Sequence, residues 1–372
     1  MSKTKVLYVV SDIDKSLNFE WTIDGIDKNR FELIFFLIGK KNSKLALHLN
    51  GAGVKVTEFS VSGQVSRVVC FFKITFRLFI IRPDVVHTHL HLANVIGLSA
   101  SWLTGVPKRI FTRHYAMVHY NEYPGGLKWD KLFNRIATHI VAISENVKNI
   151  LINKDGADPL KIRLVHHGFD LPYFQNVELQ RIRALIEKYE LNVHSFPVVG
   201  VISRYLKLKG IQYVLPAFKK FKKKYPEAHL ILVNTHGNYS AAIKTMLEEF
   251  EYGSFTEILF EYDLAALYKL FDIFVHVPVD AQSEAFGQTY VEALTSGVPS
   301  VFTLSGVAPE FIVHEQNALV VPFEDADSIY QSLVRIVSDD DLKNQLIANG
   351  KKSATLFPVG KMISQLEQLY ES

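Results

Sequence analysis

The sequence is poor in three features, and each shortage removes a class of protein. Among 372 residues there is one cysteine, Cys70. That excludes an internal disulfide and any Cys-rich metal site, and it suits a reducing cytosol. No stretch reaches the ~18 uninterrupted apolar residues of a membrane-spanning helix. The nearest, residues 65–81, is broken by Arg67, Lys73 and Arg77. The net charge is only +3, too small to mark a nucleic-acid-binding chain. The apolar run near the start, residues 6–10, is too short for a signal peptide and reads as a first β-strand. What remains is an ordinary globular balance, 48% hydrophobic and 21% charged, in a chain long enough for two domains.

The small net charge hides an asymmetry. Residues 1–170 carry 23 Lys/Arg against 14 Asp/Glu, and the remainder 18 against 24. The excess concentrates between Lys40 and Arg135, with 14 basic and 4 acidic residues. A basic half is open to two readings: a solvated face, or attraction to an anionic membrane surface or acidic partner. The run Lys219–Lys224 resembles a nucleic-acid patch but reads more simply as the last turn of a helix, where cations suit the macrodipole.

Apolar segments alternate with amphipathic ones along the chain. Strands are expected at 5–10, 31–38, 54–59, 85–88, 109–112, 139–142 and 162–165. Helices are expected between them at 45–50, 65–81, 93–103 and 129–137. A second series of strands falls at 197–202, 229–234, 258–260, 272–278, 298–304 and 317–322. This alternation argues for parallel, doubly wound α/β sheets. Composition shifts between Asp170 and Phe196, which places a boundary near 175–195.

The most informative stretch is 283–294, where a loop after the 272–278 strand hands over to a helix start. Free N–H groups at such a site favour an anion such as phosphate. Glu284 and Glu292 bracket the turn with seven residues between them. If the chain is helical from Phe286, eight steps of ~100° bring Glu292 to nearly the same side, ~12 Å along the axis. One elongated ligand could then touch both carboxylates and lay its phosphates on the amides between.

Glu284, Phe286, Gly287 and Glu292 at this spacing resemble the signature of retaining GT-B glycosyltransferases of family 4 (group 1). Other segments share the likeness. Residues 83–89 resemble the family's strand ending in histidines, here His87 and His89. Residues 110–114 resemble the strand whose last histidine reaches the donor sugar, here His114. Residues 141–148 resemble its strand–Ser–helix element, with Ser144 a helix N-cap. Arg204 and Lys209 stand where the family's Arg and Lys grip the donor diphosphate, although Ser203 replaces the usual preceding glycine. Preorganised cations there would stabilise the charge that builds as a nucleotide diphosphate departs.

The resemblance implies a GT-B architecture: α/β, two Rossmann-like doubly wound parallel-sheet domains facing a central cleft. Residues 1–175 would form the acceptor-side domain, 190–355 the nucleotide-sugar domain, and a last helix within 356–372 would return to the first. It implies His114, Glu284, Arg204 and Lys209 as the catalytic group. Donor contacts would come from Arg204, Lys209, Phe260, Glu261, Glu284, Ala285, Phe286, Gly287, Gln288, Thr289 and Glu292, the last holding the ribose. Relatives hold the base near 260–262, partly through backbone groups, so the base is not legible. Many relatives also carry a Gly-Gly turn after the first strand, whereas residues 11–21 contain no glycine. Asp12, Phe19, Glu20 and His89 are the candidates for acceptor contact. The aromatic stretch 115–129 reads as an irregular loop, either covering the acceptor or lipid, or simply packed.

The expected activity is retaining, hexosyltransferase-type transfer from a nucleotide-diphosphate sugar to a glycan or lipid-linked saccharide in polysaccharide or glycoconjugate biosynthesis. No metal or other cofactor and no nucleic acid would take part. The expected location is cytoplasmic, with peripheral docking on the inner face of the cell membrane as a hypothesis from the basic half. Three other readings stay open: a nucleotide-sugar 2-epimerase, a glycoside hydrolase using Glu284 and Glu292, and a non-catalytic sugar-nucleotide binder.

Overall fold

The computed structural model describes residues 3–192 and 195–372. The chain forms two compact units. One ends at Gly168 and is completed by Val359–Ser372; the other is Phe169–Pro358.

Among the described residues, the first unit holds a seven-stranded parallel sheet: β1 (Thr4–Ser11), β2 (Phe31–Gly39), β3 (Lys55–Ser60), β4 (Val85–His89), β5 (Lys108–Arg113), β6 (His139–Ala142) and β7 (Ile162–Leu164). The order is β3-β2-β1-β4-β5-β6-β7. β1 and β2 are nearly continuous apolar runs because helices cover both faces of a parallel sheet. The order reverses between β1 and β4, so the loops leaving their carboxyl ends frame the crevice where such sheets take ligands.

Local chemistry changes several expected elements. The helix anticipated at 93–103 is a short helix His91–Ala93, a π turn Asn94–Leu98 and a helix Ser99–Leu103. Side-chain bonds intervene at its start: Thr88 Oγ1 donates to Asn94 Oδ1 at 2.6 Å, and Ala93 N donates to Ser11 Oγ at 3.2 Å. The stretch 115–129 is not irregular throughout. It contains a helix Val118–Asn121, and the helix Gly126–Ile136 begins before Trp129. Ser144 does cap its helix, accepting from Val147 N at 3.2 Å.

The last helix, Val359–Glu371, buries Met362, Ile363, Leu366, Leu369 and Tyr370 in the first unit. The Tyr370 hydroxyl lies 2.9 Å from His87 Nδ1 and also bonds the Tyr8 hydroxyl. Lys108 Nζ donates to the carbonyls of Leu369 and Tyr370, each at 3.0 Å, placing a cation at the helix carboxyl end.

The second unit holds a six-stranded parallel sheet among the described residues: β8 (Val198–Ile202), β9 (His229–Val233), β10 (Phe255–Ile258), β11 (Ile273–His276), β12 (Ser300–Phe302) and β13 (Leu319–Val320), in the order β10-β9-β8-β11-β12-β13. Here the order reverses between β8 and β11. The unit begins earlier than the composition shift suggested. Helices Leu171–Gln175 and Leu179–Lys188 belong to it because Phe174 is fully buried there and Arg181 Nε donates to Asp263 Oδ2 at 2.9 Å. β10 ends at Ile258 rather than 260, and Phe260 is exposed. Lys219–Lys224 is the last turn of the helix Ile211–Lys224.

Candidate active site

Both loops at the β8/β11 switch point of the second unit carry the residues singled out above. After β8 the chain runs through Arg204 and a short 3-10 turn, Lys207–Lys209, to Gly210. Gly210 has φ +76, and a Cβ there would sit 1.8 Å from the Val277 carbonyl oxygen. Only glycine allows this loop to lie against the strand end after β11. That approach brings the Lys209 ammonium onto the Glu284 carboxylate as an ion pair, 75 residues apart in sequence.

Glu284 is buried. Its backbone N–H donates to Ser305 Oγ at 3.0 Å, and His276 Nε2 lies 3.0 Å from its Oε1. Burial opposes its charge, but Lys209 and His276 outweigh it and hold the carboxyl down at about 2. Glu284 is therefore an ionised acceptor at neutral pH. Arg204 differs from Lys209: it is exposed, and its guanidinium has no ion-pair partner among the described residues.

The helix after the loop starts at Gln288, two residues later than anticipated, and runs to Ser296. Gly287 is its N-cap at φ +83, a conformation in which a Cβ would meet the Tyr290 ring at 2.5 Å. Ring packing between Phe169 and Phe357 makes Phe286 a core residue, so only its backbone is available to a ligand. Ala285 is partly exposed and Gln288 exposed. The Thr289 hydroxyl is buried with no hydrogen-bond partner among the described residues.

Glu292 lies one turn into this helix and is buried. It accepts from the Tyr268 hydroxyl at 3.0 Å. Burial outweighs that bond and pushes its carboxyl up to about 7. The two glutamates of the motif thus have opposite electrostatics: Glu284 is ionised by its partners, Glu292 is poised near neutrality.

The loop after β10 corrects one expectation. The Glu261 carboxylate is not free for a ligand. It accepts from Lys188 Nζ and the Tyr189 hydroxyl at 2.6 Å each and from Asp263 N at 2.8 Å. Glu261 fastens its own turn, leaving the exposed Phe260 ring, packed edge-on to Tyr262, as the available surface.

In the first unit, His89 at the end of β4 and His114 just after β5 are neighbours, His89 Nδ1 to His114 Nε2 at 3.0 Å. His167 stacks on His114 with ring centroids 5.6 Å apart, and its Nδ1 lies 3.3 Å from Asn18 Nδ2. Burial, with the adjacent His87, holds the partly exposed His114 at about 4, so it is neutral at physiological pH. His87 faces inward, its Nε2 2.7 Å from Thr112 Oγ1. Phe19 does not present a ring to a ligand: it is buried edge-on against His89, Tyr8 and Phe35. Asp12 is exposed and Glu20 half-buried, its carboxyl pushed up by burial. The glycine-free turn after β1 forms because Asp12 itself takes the left-handed region at φ +54, which a short polar side chain tolerates.

Two family models match this chain. One described as "Glycosyl transferases group 1" covers residues 182–353, and one described as "Glycosyltransferase Family 4" covers residues 41–172. The chain carries a group 1 glycosyltransferase domain and a family 4 type glycosyltransferase domain. It is 25% identical to the capsular polysaccharide biosynthesis glycosyltransferase CapM of Staphylococcus aureus over 78% of this chain and 77% of CapM. It is 23% identical to an Escherichia coli UDP-Gal:alpha-D-GlcNAc-diphosphoundecaprenol alpha-1,3-galactosyltransferase, over 77% and 75%. Its fold matches Anabaena HepE, a crystal structure in complex with UDP and glucose, with a TM-score of 0.84, 18% identity and coverage of 99% and 100%. The architecture of this glycosyltransferase is accordingly GT-B.

Parts of this glycosyltransferase were not legible residue by residue. His276 carries a signal in hindsight, a polar residue ending a buried strand at the switch point. His167, three residues past the end of β7, had no role assigned from the sequence. Tyr268 and the surroundings of Arg113 carry no local signal, because their partners lie far along the chain.

Arg113 is fully buried before His114. Its guanidinium pairs with Asp130 at 3.1 Å and Asp155 at 3.2 Å, and lies 3.8 Å from the Tyr115 ring centre. His119 Nδ1 lies 2.7 Å from Asp130 Oδ2, and the Tyr120 hydroxyl donates to Asp155 at 2.7 Å. Tyr115, His119 and Tyr120 therefore bond within the unit, whereas Tyr123 and Trp129 are exposed. His91, His119 and Asp130 bring three ligand atoms within 4.8 Å of one another. Asp130 is already committed to Arg113, and a fixed guanidinium beside it opposes a metal cation. Arg113→Met is expected to cost about 3–5 kcal/mol at pH 7.5, because it strands two buried carboxylates. Urea unfolding at pH 7.5 and pH 5 checks this; the loss should shrink at pH 5 as the stranded carboxyls take up protons.

Proposed function

We propose that this glycosyltransferase moves a hexose, with retention at the anomeric carbon and without a metal ion, from a nucleotide-diphosphate sugar to a glycan or lipid-linked saccharide. The observation that carries the proposal is the grouping on the second unit of a free guanidinium, an ammonium fixed by a buried carboxylate, and a helix N-terminus at one switch point. Arg204, Lys209 and the amides of Gln288 and Thr289 receive the diphosphate. Lys209 and the helix start supply preorganised positive charge where the leaving group becomes more negative. Glu292 accepts from the ribose, ionised Glu284 accepts from sugar hydroxyls, and neutral His114 can accept from or donate to one. A leaving-group phosphate oxygen serves as the base for front-face attack, consistent with Glu284 held too acidic to take a proton at neutral pH. The names of CapM and the E. coli galactosyltransferase support a saccharide acceptor in glycoconjugate biosynthesis, the latter a lipid-linked one.

One observation favours a second reading. Carboxyls pushed apart to about 2 and about 7 also suit the nucleophile and acid of a glycoside hydrolase. Against it, the Glu284 carboxylate is held by Lys209 and His276 rather than left free as a nucleophile.

A thermal-shift screen against UDP, GDP, ADP, dTDP and CMP tests the donor site, with UDP first because HepE binds it. A diphosphate at 100 times its Kd should stabilise the protein by about 2.7 kcal/mol. The shift should vanish in Arg204→Ala and Glu292→Ala. No shift from any nucleotide would remove the donor-site assignment. Donor consumed without acceptor would point to epimerase or hydrolase chemistry, and NMR of the product's anomeric configuration tests retention.

A further inference from the structure

The helix Gln64–Ile81 in the first unit has an inner face that packs and an outer face that none of the described residues covers. Cys70, Ile74, Thr75 and Leu78 are buried beneath it. Val65, Val68, Val69, Phe72, Phe76, Phe79 and Ile80 are all exposed, Phe72 at 65% and Phe76 at 66%. At 3.6 residues per turn these seven positions fall on one stripe along the helix. A water-facing stripe is normally polar, and a contiguous apolar one marks an interaction surface.

The charges beside the stripe have one sign. The helix contains no acidic residue, while Arg67, Lys73 and Arg77 are exposed on it. Lys73 and Arg77 border a groove of about 620 Å³ between the helix and β3, floored in part by Phe76 and Ile80, with Glu58 its one acidic group. Trp102 and Leu103, at the end of the neighbouring helix Ser99–Leu103, are also exposed, at 56% and 57%. Among the described residues no helix is long and apolar enough to cross a membrane. An apolar stripe flanked by cations, with aromatic side chains able to sit at headgroup depth, has the chemistry of a helix lying in the plane of a bilayer surface.

We propose that this face docks on an anionic lipid bilayer, with Phe72, Phe76 and Phe79 in the headgroup–acyl boundary and Lys73 and Arg77 against headgroup phosphates. Charge complementarity selects this occupant. A symmetric pairing of two copies would set the Lys73 and Arg77 flanks near each other with no carboxylate on the helix to offset them. The proposal is independent of the donor-site reading, since vesicle binding requires no nucleotide.

The experiment is flotation of the full chain with phosphatidylcholine vesicles, with and without 30% phosphatidylglycerol, for the wild type, the pair Phe72→Ser and Phe76→Ser, and the pair Lys73→Glu and Arg77→Glu. Wild type should bind phosphatidylglycerol vesicles at least tenfold more tightly than neutral ones, less so at high salt, as screening requires. The serine pair should weaken binding at least tenfold, and the glutamate pair should abolish the anionic preference. Trp102 emission should shift to the blue on binding. Unchanged melting temperatures would show that both variants remain folded. Absence of wild-type binding at low salt, or variants that bind as well as wild type, would overturn the proposal. So would a dimer by light scattering that the serine pair converts to monomer, which would make this face a contact between copies.

Discussion

Lys209→Ala is expected to lower kcat for sugar transfer by about 10²–10³-fold, the usual cost of deleting one preorganised charge at a site of developing negative charge. Its ammonium is held in place by the Glu284 carboxylate before any substrate arrives. Little reorganisation is then needed when the leaving group gains charge. Arg204 has no such anchor among the described residues, so Arg204→Ala should act more on donor KM than on kcat. The lysine variant should also lose stability, because Glu284 becomes a buried carboxylate without its cation, and breaking such pairs costs about 3–5 kcal/mol.

The pH dependence separates these effects. In the wild type, Glu284 is depressed to about 2 from 4.5. Its contribution to stability is present above pH 4.5 and is lost as pH falls toward 2. In Lys209→Ala the strongest depressing partner is gone and burial pushes the carboxyl upward, so stability should fall as pH rises. Adding Glu284→Gln should recover much of the stability and none of the activity. Steady-state kinetics and urea unfolding measure both; a kcat within fivefold of wild type would exclude Lys209 from leaving-group stabilisation.

Glu292→Gln should make the ligand-free protein more stable at pH 8 while weakening nucleotide binding. The folded-state carboxyl stands at about 7 against 4.5 unfolded. Between these values the unfolded chain has released a proton that the folded chain keeps, so stability declines as pH rises from about 4.5 to about 7 and levels off above that. The gap corresponds to about 3 kcal/mol by pH 8 and above. A glutamine never ionises, so the variant should match wild type near pH 5 and exceed it at pH 8. Hydrogen bonds to a charged group are worth about 1.5–3 kcal/mol, so loss of the carboxylate should weaken diphosphate binding roughly 10–100-fold. Wild-type affinity should correspondingly increase between pH 6 and 8, because ribose hydroxyls bond better to the ionised form. Melting curves across that range with and without nucleotide provide the check; a variant less stable than wild type at pH 8 would contradict the assignment.

Much of this was legible in the amino-acid order. Apolar segments alternating with amphipathic ones determined two doubly wound sheets, because each local period admits one kind of element and parallel strands need crossovers. Glu284, Gly287 and Glu292 stood out at the carboxyl end of a strand where such sheets bind ligands, and Arg204 and Lys209 stood out through the resemblance to group 1 glycosyltransferases. The stripe 65, 68, 69, 72, 76, 79 and 80 was also present in the sequence, but so was its inner counterpart. Periodicity defines faces and does not say which one the sheet covers. The tertiary structure alone decided that Phe19 is buried, that Glu261 is consumed by Lys188 and Tyr189, and that Asp12 makes the turn without glycine. It alone joined Lys209 to Glu284, Tyr268 to Glu292 and Arg113 to Asp130 and Asp155. The physical reason is the same in each case. A carboxyl's charge depends on burial and on neighbours within a few ångströms, and those neighbours come from separate segments that meet only when the sheets are assembled.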